Sequence, residues 1–255
     1  MTSPGGALSP CRTQGDTSLP LNDTQKKLAG DNPHDFAGLK ALFVNCTLKA
    51  SHQGPSHTET LMRDSMELME LCGVEVDYLR AADHRIAFGV QPDMREHGAE
   101  IDDWPEIFWP KVKAAEILVI GTPLWLGEES SLCRMIIERL YAHSAQRNDR
   151  GQYVFYGKVG GTIVTGNEDG IKHTSMTTLY AMQHVGYTIP PQADCGWIGE
   201  AGPGPSYGDT LDDGGHAGFD NAFTRRNLTF MTFNLMHMAR MLKEAGGIPA
   251  YGNTA

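Results

Sequence analysis

Positive charge is scarce in this sequence beside negative charge. Its 255 residues hold 21 Lys and Arg against 31 Asp and Glu, a net charge of −10. No basic cluster exists, so a nucleic-acid partner is not expected. Long apolar runs are also missing. The strongest, Ile117-Leu118-Val119-Ile120, is far short of the roughly 20 residues that span a bilayer, so no membrane partner is expected. The N-terminal stretch has no apolar segment after a basic start, and a secretory leader is not expected there. Cysteines are few and scattered, at positions 11, 46, 72, 133 and 195, with no C-x-x-C. That spacing argues against a zinc ribbon or a clustered iron–sulfur site, and no metal is expected. Cys72 and Cys133 sit in apolar helical patterns, which predicts reduced, buried thiols and a cytoplasmic protein.

What is present is a globular composition, 40% apolar and 20% charged. Residues 1–38 are rich in Gly, Pro, Ser, Thr and Asp and read as an N-terminal arm or extended tail. Residues 39–255 read as one domain ending in a long helix. Leu39 to Cys46 is a short apolar run, the pattern of a buried parallel strand. Further strands are predicted at Val74–Leu79, Ala115–Thr122 and Lys158–Thr165, with a short fifth one starting at Gly186–Ile189. Helices are predicted at about 57–72, 103–115, 129–145, 170–185 and 221–244. The last carries an apolar stripe of Phe223, Phe230, Met231, Leu235, Met238 and Leu242. Residues 80–103 form a long polar stretch of the kind that tends to cover a site.

Strands alternating with helices predict an α/β fold with a doubly wound, five-stranded parallel sheet in the order 2-1-3-4-5. In that order the ligand crevice lies at the carboxyl ends of the strands, where the winding reverses. Three loops therefore carry the chemistry. The first, from Asn45 to Thr60, is dense in hydroxyls and runs into a helix start, which favours a phosphate. Thr47, Ser51, Ser56 and Thr58 offer hydroxyls and Lys49 a charge. Ser56 with Glu59 also reads as a simple capping box. The second, Gly121 to Gly127, sets Trp125 as an apolar plate beside an exposed turn, suited to a flat heteroaromatic ring or to the core. The third, Thr165 to Gly170, has two glycines that let backbone approach a ligand; it also reads as a plain turn capped by Asp169. His173 follows and reads as a ring neighbour, a proton donor or a surface helix residue.

Several common signatures are absent. No G-x-G-x-x-G follows the first strand, and Gly151 to Lys158 has the wrong spacing for a Walker loop. His57-Thr58-Glu59 matches half of a zinc-deaminase signature, without the P-C-x-x-C half. No G-x-S-x-G elbow exists.

Taken together, N-C-T-L-K…S-H-T, T-P-L-W-L-G-E-E-S-S-L-C-R and G-N-E-D-G-x-K-H resemble the three flavin loops of the flavodoxin-like NAD(P)H-dependent FMN reductase family. The resemblance covers about residues 38–190 and includes the iron–sulfur relatives, but the stretch 83–103 has no cysteine for a cluster. It implies a flavodoxin-like fold with FMN as cofactor and NAD(P)H as reductant. Thr47, Lys49, Ser56, His57 and Thr58 would hold the FMN phosphate. Pro123, Leu124, Trp125, Leu126 and Gly127 would line the ribityl chain and ring. Thr165, Gly166, Asn167, Glu168 and Gly170 would meet the ring's pyrimidine end. Lys49 stands where Arg is common, and His57 where Asn is usual. The expected activity is hydride transfer through flavin to a quinone, a flavin or another small-molecule aromatic acceptor. A homodimer or homotetramer is implied. A flavodoxin-like electron carrier and a flavin-free binding protein of the same fold remain as alternatives.

Overall fold

The computed structural model describes residues 21–167, 169–202 and 204–254. Its sheet is built from β1 (Lys40–Asn45), β2 (Glu75–Arg80), β3 (Ile117–Trp125), β5 (Val159–Gly166) and β6 (Asp194–Ile198), all parallel, in the order β2-β1-β3-β5-β6. The two-residue β4 (Glu128–Glu129) folds back antiparallel on the end of β3. Without that hairpin the order is the doubly wound 2-1-3-4-5.

The strands are apolar on both faces because helices cover both faces. Ala41, Phe43, Ile117, Val119 and Ile163 point into one core, beneath α2 (His57–Leu71) and α6 (Ala222–Glu244). Leu42, Val44, Leu118 and Ile120 point into the other, with α3 (Trp109–Ala114), α4 (Ser131–Tyr141) and α5 (Ile171–Val185). Each such buried Val, Leu, Ile or Phe side chain contributes roughly 1.5–3 kcal/mol.

Three features differ from the sequence expectations. The region read as an arm contains α1 (Asp23–Gly30), closed by a capping box between Asn22 and Gln25, and it packs on the domain. Leu21 and Phe36 are buried, and Gln25 donates to Thr229 on α6 at 3.2 Å. Residues 1–20 lie outside the described residues. The fifth parallel strand is Asp194–Ile198. Around Gly186–Ile189 only a single bridge forms, Thr188 to Val159, because Pro190 and Pro191 lack the N–H groups a ladder needs. On α6, Phe223 and Phe230 are exposed; Leu228, Met231, Leu235, Met236 and Ala239 make the buried stripe. Cys46, Cys72, Cys133 and Cys195 are buried free thiols, and Cys11 lies outside the described residues.

The stretch 80–103 is organised by one carboxylate. Asp102 accepts from the N–H groups of Ala87, Met94 and Trp104 and from Arg139 at 2.7 Å. Both side chains of the Arg139–Asp102 pair are fully buried. Trp104 stacks on Phe108 and donates to His143, which stacks on Trp109 at 3.5 Å. Burial, aided by the Arg139 charge, pushes His143 down to about 4, so it is neutral there.

Candidate functional site

A cavity of about 590 Å³ opens at the carboxyl ends of β1, β3 and β5, where the winding reverses. Its wall includes Thr47, Lys49, His57, Thr58, Pro123, Leu124, Trp125, Thr165, Gly166 and Asn167. Residues from all three loops are therefore brought together. Hydrogen bonds between the loops hold them. Thr58 and Thr165 share a 2.8 Å hydroxyl–hydroxyl bond. Ser130, at the start of α4, donates to the Cys46 carbonyl at 2.7 Å, and its own N–H donates to Thr122.

One end of the cavity is rich in donors. The Ser56 hydroxyl caps α2 by accepting from the Glu59 N–H at 3.1 Å. The N–H groups of Leu48, Lys49, His57 and Thr58, all residues of the wall, donate to no acceptor among the described residues. They combine with the partial positive charge of a 15-residue helix. Lys49 is exposed and forms no ion pair among the described residues. His57 faces Asp209 at 3.4 Å.

Beneath this loop lies a buried network that sequence reasoning did not anticipate. Asn45 donates to Ser56 and Tyr78, and its carbonyl accepts the Thr47 N–H. Tyr78, Arg63 and Arg80 all donate to Glu59. Arg80 also donates to the Gly54 carbonyl at 3.1 Å. Burial by itself would push the Glu59 carboxyl up. The hydrogen bonds from Tyr78, Arg63 and Arg80 outweigh it and hold Glu59 below its ordinary value. Glu59 is thus an anchor for the loop and not half of a capping box.

The other end is flatter and more apolar. Trp125, 54% exposed, ends β3, with Leu124 and Pro123 beside it. Gly166 lies so close to Leu124 that an added Cβ would meet the Leu124 Cβ at 2.6 Å. A side chain at Gly166 would rebuild the wall, so exchanging it tests packing as much as binding.

Several expected site residues lie elsewhere. Ser51 turns away, its N–H and hydroxyl both donating to Asp83. Ser56 is buried under the loop as the cap of α2. Leu126 projects from the turn, 90% exposed with φ 54°. Gly127 and Gly170 pack against each other behind the wall, where a Cβ on Gly170 would meet the Gly127 Cα at 2.8 Å. His173 pairs with Glu128 at 2.8 Å and is not on the wall. Glu168 lies outside the described residues.

The remaining wall comes from a segment whose part in the site the sequence did not signal. Gly202, Gly204, Ser206 and Tyr207, between β6 and α6, close the cavity. Asn167 holds this segment. Its amide donates to the carbonyls of Gly204 and Pro205 at 3.0 and 2.9 Å, and its carbonyl accepts from Ser206. The Asn167 side chain is therefore committed to the segment. Its backbone N–H has no acceptor among the described residues.

This geometry has known relatives. An 8-demethyl-8-aminoriboflavin-5'-phosphate synthase of Streptomyces davaonensis is 36% identical over 217 residues, 81% of this chain and 79% of that protein. The crystal structure of RosB with the bound intermediate 8-demethyl-8-formylriboflavin-5'-phosphate is similar with a TM-score of 0.70. It shares 34% identity, over 84% of this chain and 82% of that one. A divalent metal cation transporter MntH of Mycobacterium bovis is 54% identical over 234 residues, 88% of this chain. The chain spans only about a third of that relative's length, 33%. No helix among the described residues is long and apolar enough to cross a membrane. The family model for NADPH-dependent FMN reductase matches residues 44–196, the stretch that supplies all three loops, and on that match this chain belongs to the NADPH-dependent FMN reductase family.

Proposed function

We propose that the chain binds FMN in this cavity and, with NAD(P)H as reductant, passes electrons to a small aromatic acceptor. One observation carries the reading. Four N–H groups with no acceptor among the described residues, Lys49 and a helix start belong to wall residues of a cavity that Trp125, Leu124 and Thr165–Asn167 also line. That donor set suits a phosphate, and the apolar end suits a fused ring.

A bound flavin supplies the hydride-accepting and electron-releasing chemistry. The chain's residues bind, orient and shield. Thr47, Lys49, His57 and Thr58 hold the phosphate. Pro123, Leu124 and Trp125 flank the ring. The Asn167 N–H is the donor available at the third loop for negative charge. Self-association belongs to this reading. The face between α4 and α5 has an apolar groove of about 510 Å³ lined by Ile137, Tyr141, Tyr180 and Val185, with both tyrosines exposed. The four buried thiols fit a reducing cytoplasm.

A second reading takes a flavin phosphate as substrate. The similarity to a synthase of an aminated riboflavin phosphate favours it. One experiment separates them. Purified protein is loaded with FMN, washed, and titrated anaerobically with NADH and with NADPH while the visible spectrum is recorded. Retained flavin bands bleached by either nucleotide support the reductase. Retained bands that neither nucleotide bleaches favour the second reading. No retained flavin and no quenching of FMN fluorescence sinks both.

A further inference from the structure

Tyr207 is a polar side chain of the cavity wall to which the proposed function gives no role. Its ring is held on several sides. Trp197 packs edge-on at 5.5 Å, Phe219 tilts against it at 5.3 Å, and Gly218 approaches too closely for any side chain there. The residue is 1% exposed, yet its hydroxyl makes no hydrogen bond among the described residues. Buried tyrosines ordinarily find a partner. Tyr187 also lacks one, but its oxygen is sealed in the core; the Tyr207 oxygen is not sealed, and the residue lines the cavity.

The residues next to Tyr207 in the chain lie over the start of α2. A Cβ on Gly208 would sit 3.6 Å from Thr60 in the first turn of that helix. Asp209 reaches His57 at 3.4 Å, and Ser206 N–H donates to Asp209 at 2.7 Å. This is the end of the cavity with the unpaired N–H groups and Lys49. We infer that Tyr207 is a specificity-determining residue whose hydroxyl donates to the 5'-phosphate of the flavin, so that the β6–α6 segment selects flavin phosphate over riboflavin. The inference rests on the flavin-phosphate reading of the cavity and adds the residue that reads the phosphate from above. Burial holds the phenol well above its ordinary range, and the nearby Asp64 carboxyl adds to the effect, so the group stays a donor.

The test compares two ligands that differ only in the phosphate. Dissociation constants of FMN and riboflavin are measured by flavin fluorescence quenching for the full chain and for Tyr207→Phe, which keeps the packed ring. A hydrogen bond to a charged group predicts roughly tenfold to hundredfold weaker FMN binding, with riboflavin unchanged. Equal loss for both ligands would assign Tyr207 to packing or to the ring, and no loss for either would assign it no ligand role; both overturn the inference. The thermal midpoint of Tyr207→Phe is measured alongside. If it falls by more than a few degrees, Phe219→Leu, which loosens the same ring and keeps the hydroxyl, provides the contrast. Phosphate-selective loss in Tyr207→Phe but not in Phe219→Leu sustains the inference, and the same loss in both refutes it. Should the unaltered chain bind neither flavin, the cavity reading itself fails. Should it bind both equally well, only the selectivity proposed here fails.

Discussion

Two irregular segments of similar length follow strands of this sheet, and they are held in different ways. Residues 81–103, after β2, are fastened by a buried carboxylate that accepts three backbone N–H groups and a buried arginine. The segment after β6 buries Tyr207, Ala217 and Phe219 in the core, but its contacts at Gly204, Pro205 and Asp209 lie nearer the surface, with the Asn167 amide and the partly exposed His57. The first supplies nothing to the cavity wall; the second supplies Gly202, Gly204, Ser206 and Tyr207. A long loop anchored through the core is architecture. Where the second segment is held by a few partly wet hydrogen bonds, at Gly204, Pro205 and Asp209, local opening costs less.

The largest effect should come from breaking the first anchor. Asp102→Ala leaves Arg139 charged in the core, and unfolding in denaturant should show a loss of roughly 3–5 kcal/mol. FMN affinity of the folded fraction should be unchanged. A loss of affinity at full folding would erase the contrast between the segments.

A second effect lies under the other segment. Asp64 is buried near Tyr207 and Arg225, and neither of its oxygens has a partner. Burial pushes its carboxyl up to about 7, against about 4 in an unfolded chain. Between those values the folded chain keeps a proton the unfolded chain has released. Stability therefore falls as pH rises through this window, by roughly 4 kcal/mol at most. Stability curves from pH 4 to 8 should show this fall in the natural chain and a much flatter profile in Asp64→Asn. A fall of equal size in both would place its origin elsewhere.

Releasing the second anchor should act on binding more than on folding. Asn167→Ala removes the donors to Gly204 and Pro205. FMN should bind roughly tenfold more weakly, and limited proteolysis between 199 and 221 should quicken, with little change in the unfolding midpoint. The reverse pattern, a lower midpoint with intact affinity, would make this segment architecture as well. The smallest effect is expected at His173, whose pair with Glu128 is exposed. His173→Ala should shift stability by less than about 1 kcal/mol and leave the FMN dissociation constant unchanged. A tenfold weakening would return His173 to the site.

Much of the fold was legible because its signals are local. Apolar runs at 39–46 and 115–122 read as buried strands, and Gly73 ended the helix before it at Cys72. Of the site, the residues flanking strand ends were legible for the same reason: Thr47, Lys49, His57, Thr58, Trp125 and Thr165 sit where the doubly wound order brings loops together. Ser51 misled because hydroxyl content does not say which way a hydroxyl turns, and Asp83, 32 residues on, claimed it. The strand Asp194–Ile198 was missed because a short sequence with a central glycine carries little strand propensity. It pairs because β5 offers it an open edge. Phe223 and Phe230 misled in the other direction. On a helix packed by one face, hydrophobicity does not decide which of several apolar residues is inward.

The sequence by itself determined the alternation of strands and helices, and with it the sheet order and the end at which the cavity opens. Those follow from short-range periodicity and from the handedness of parallel crossovers. Only the tertiary structure decided which side chains line that cavity. Asn167 is spent on a segment some 40 residues away, and Tyr207 is delivered to the cavity by that contact. Such choices depend on hydrogen bonds between groups remote in sequence, and no local pattern encodes them.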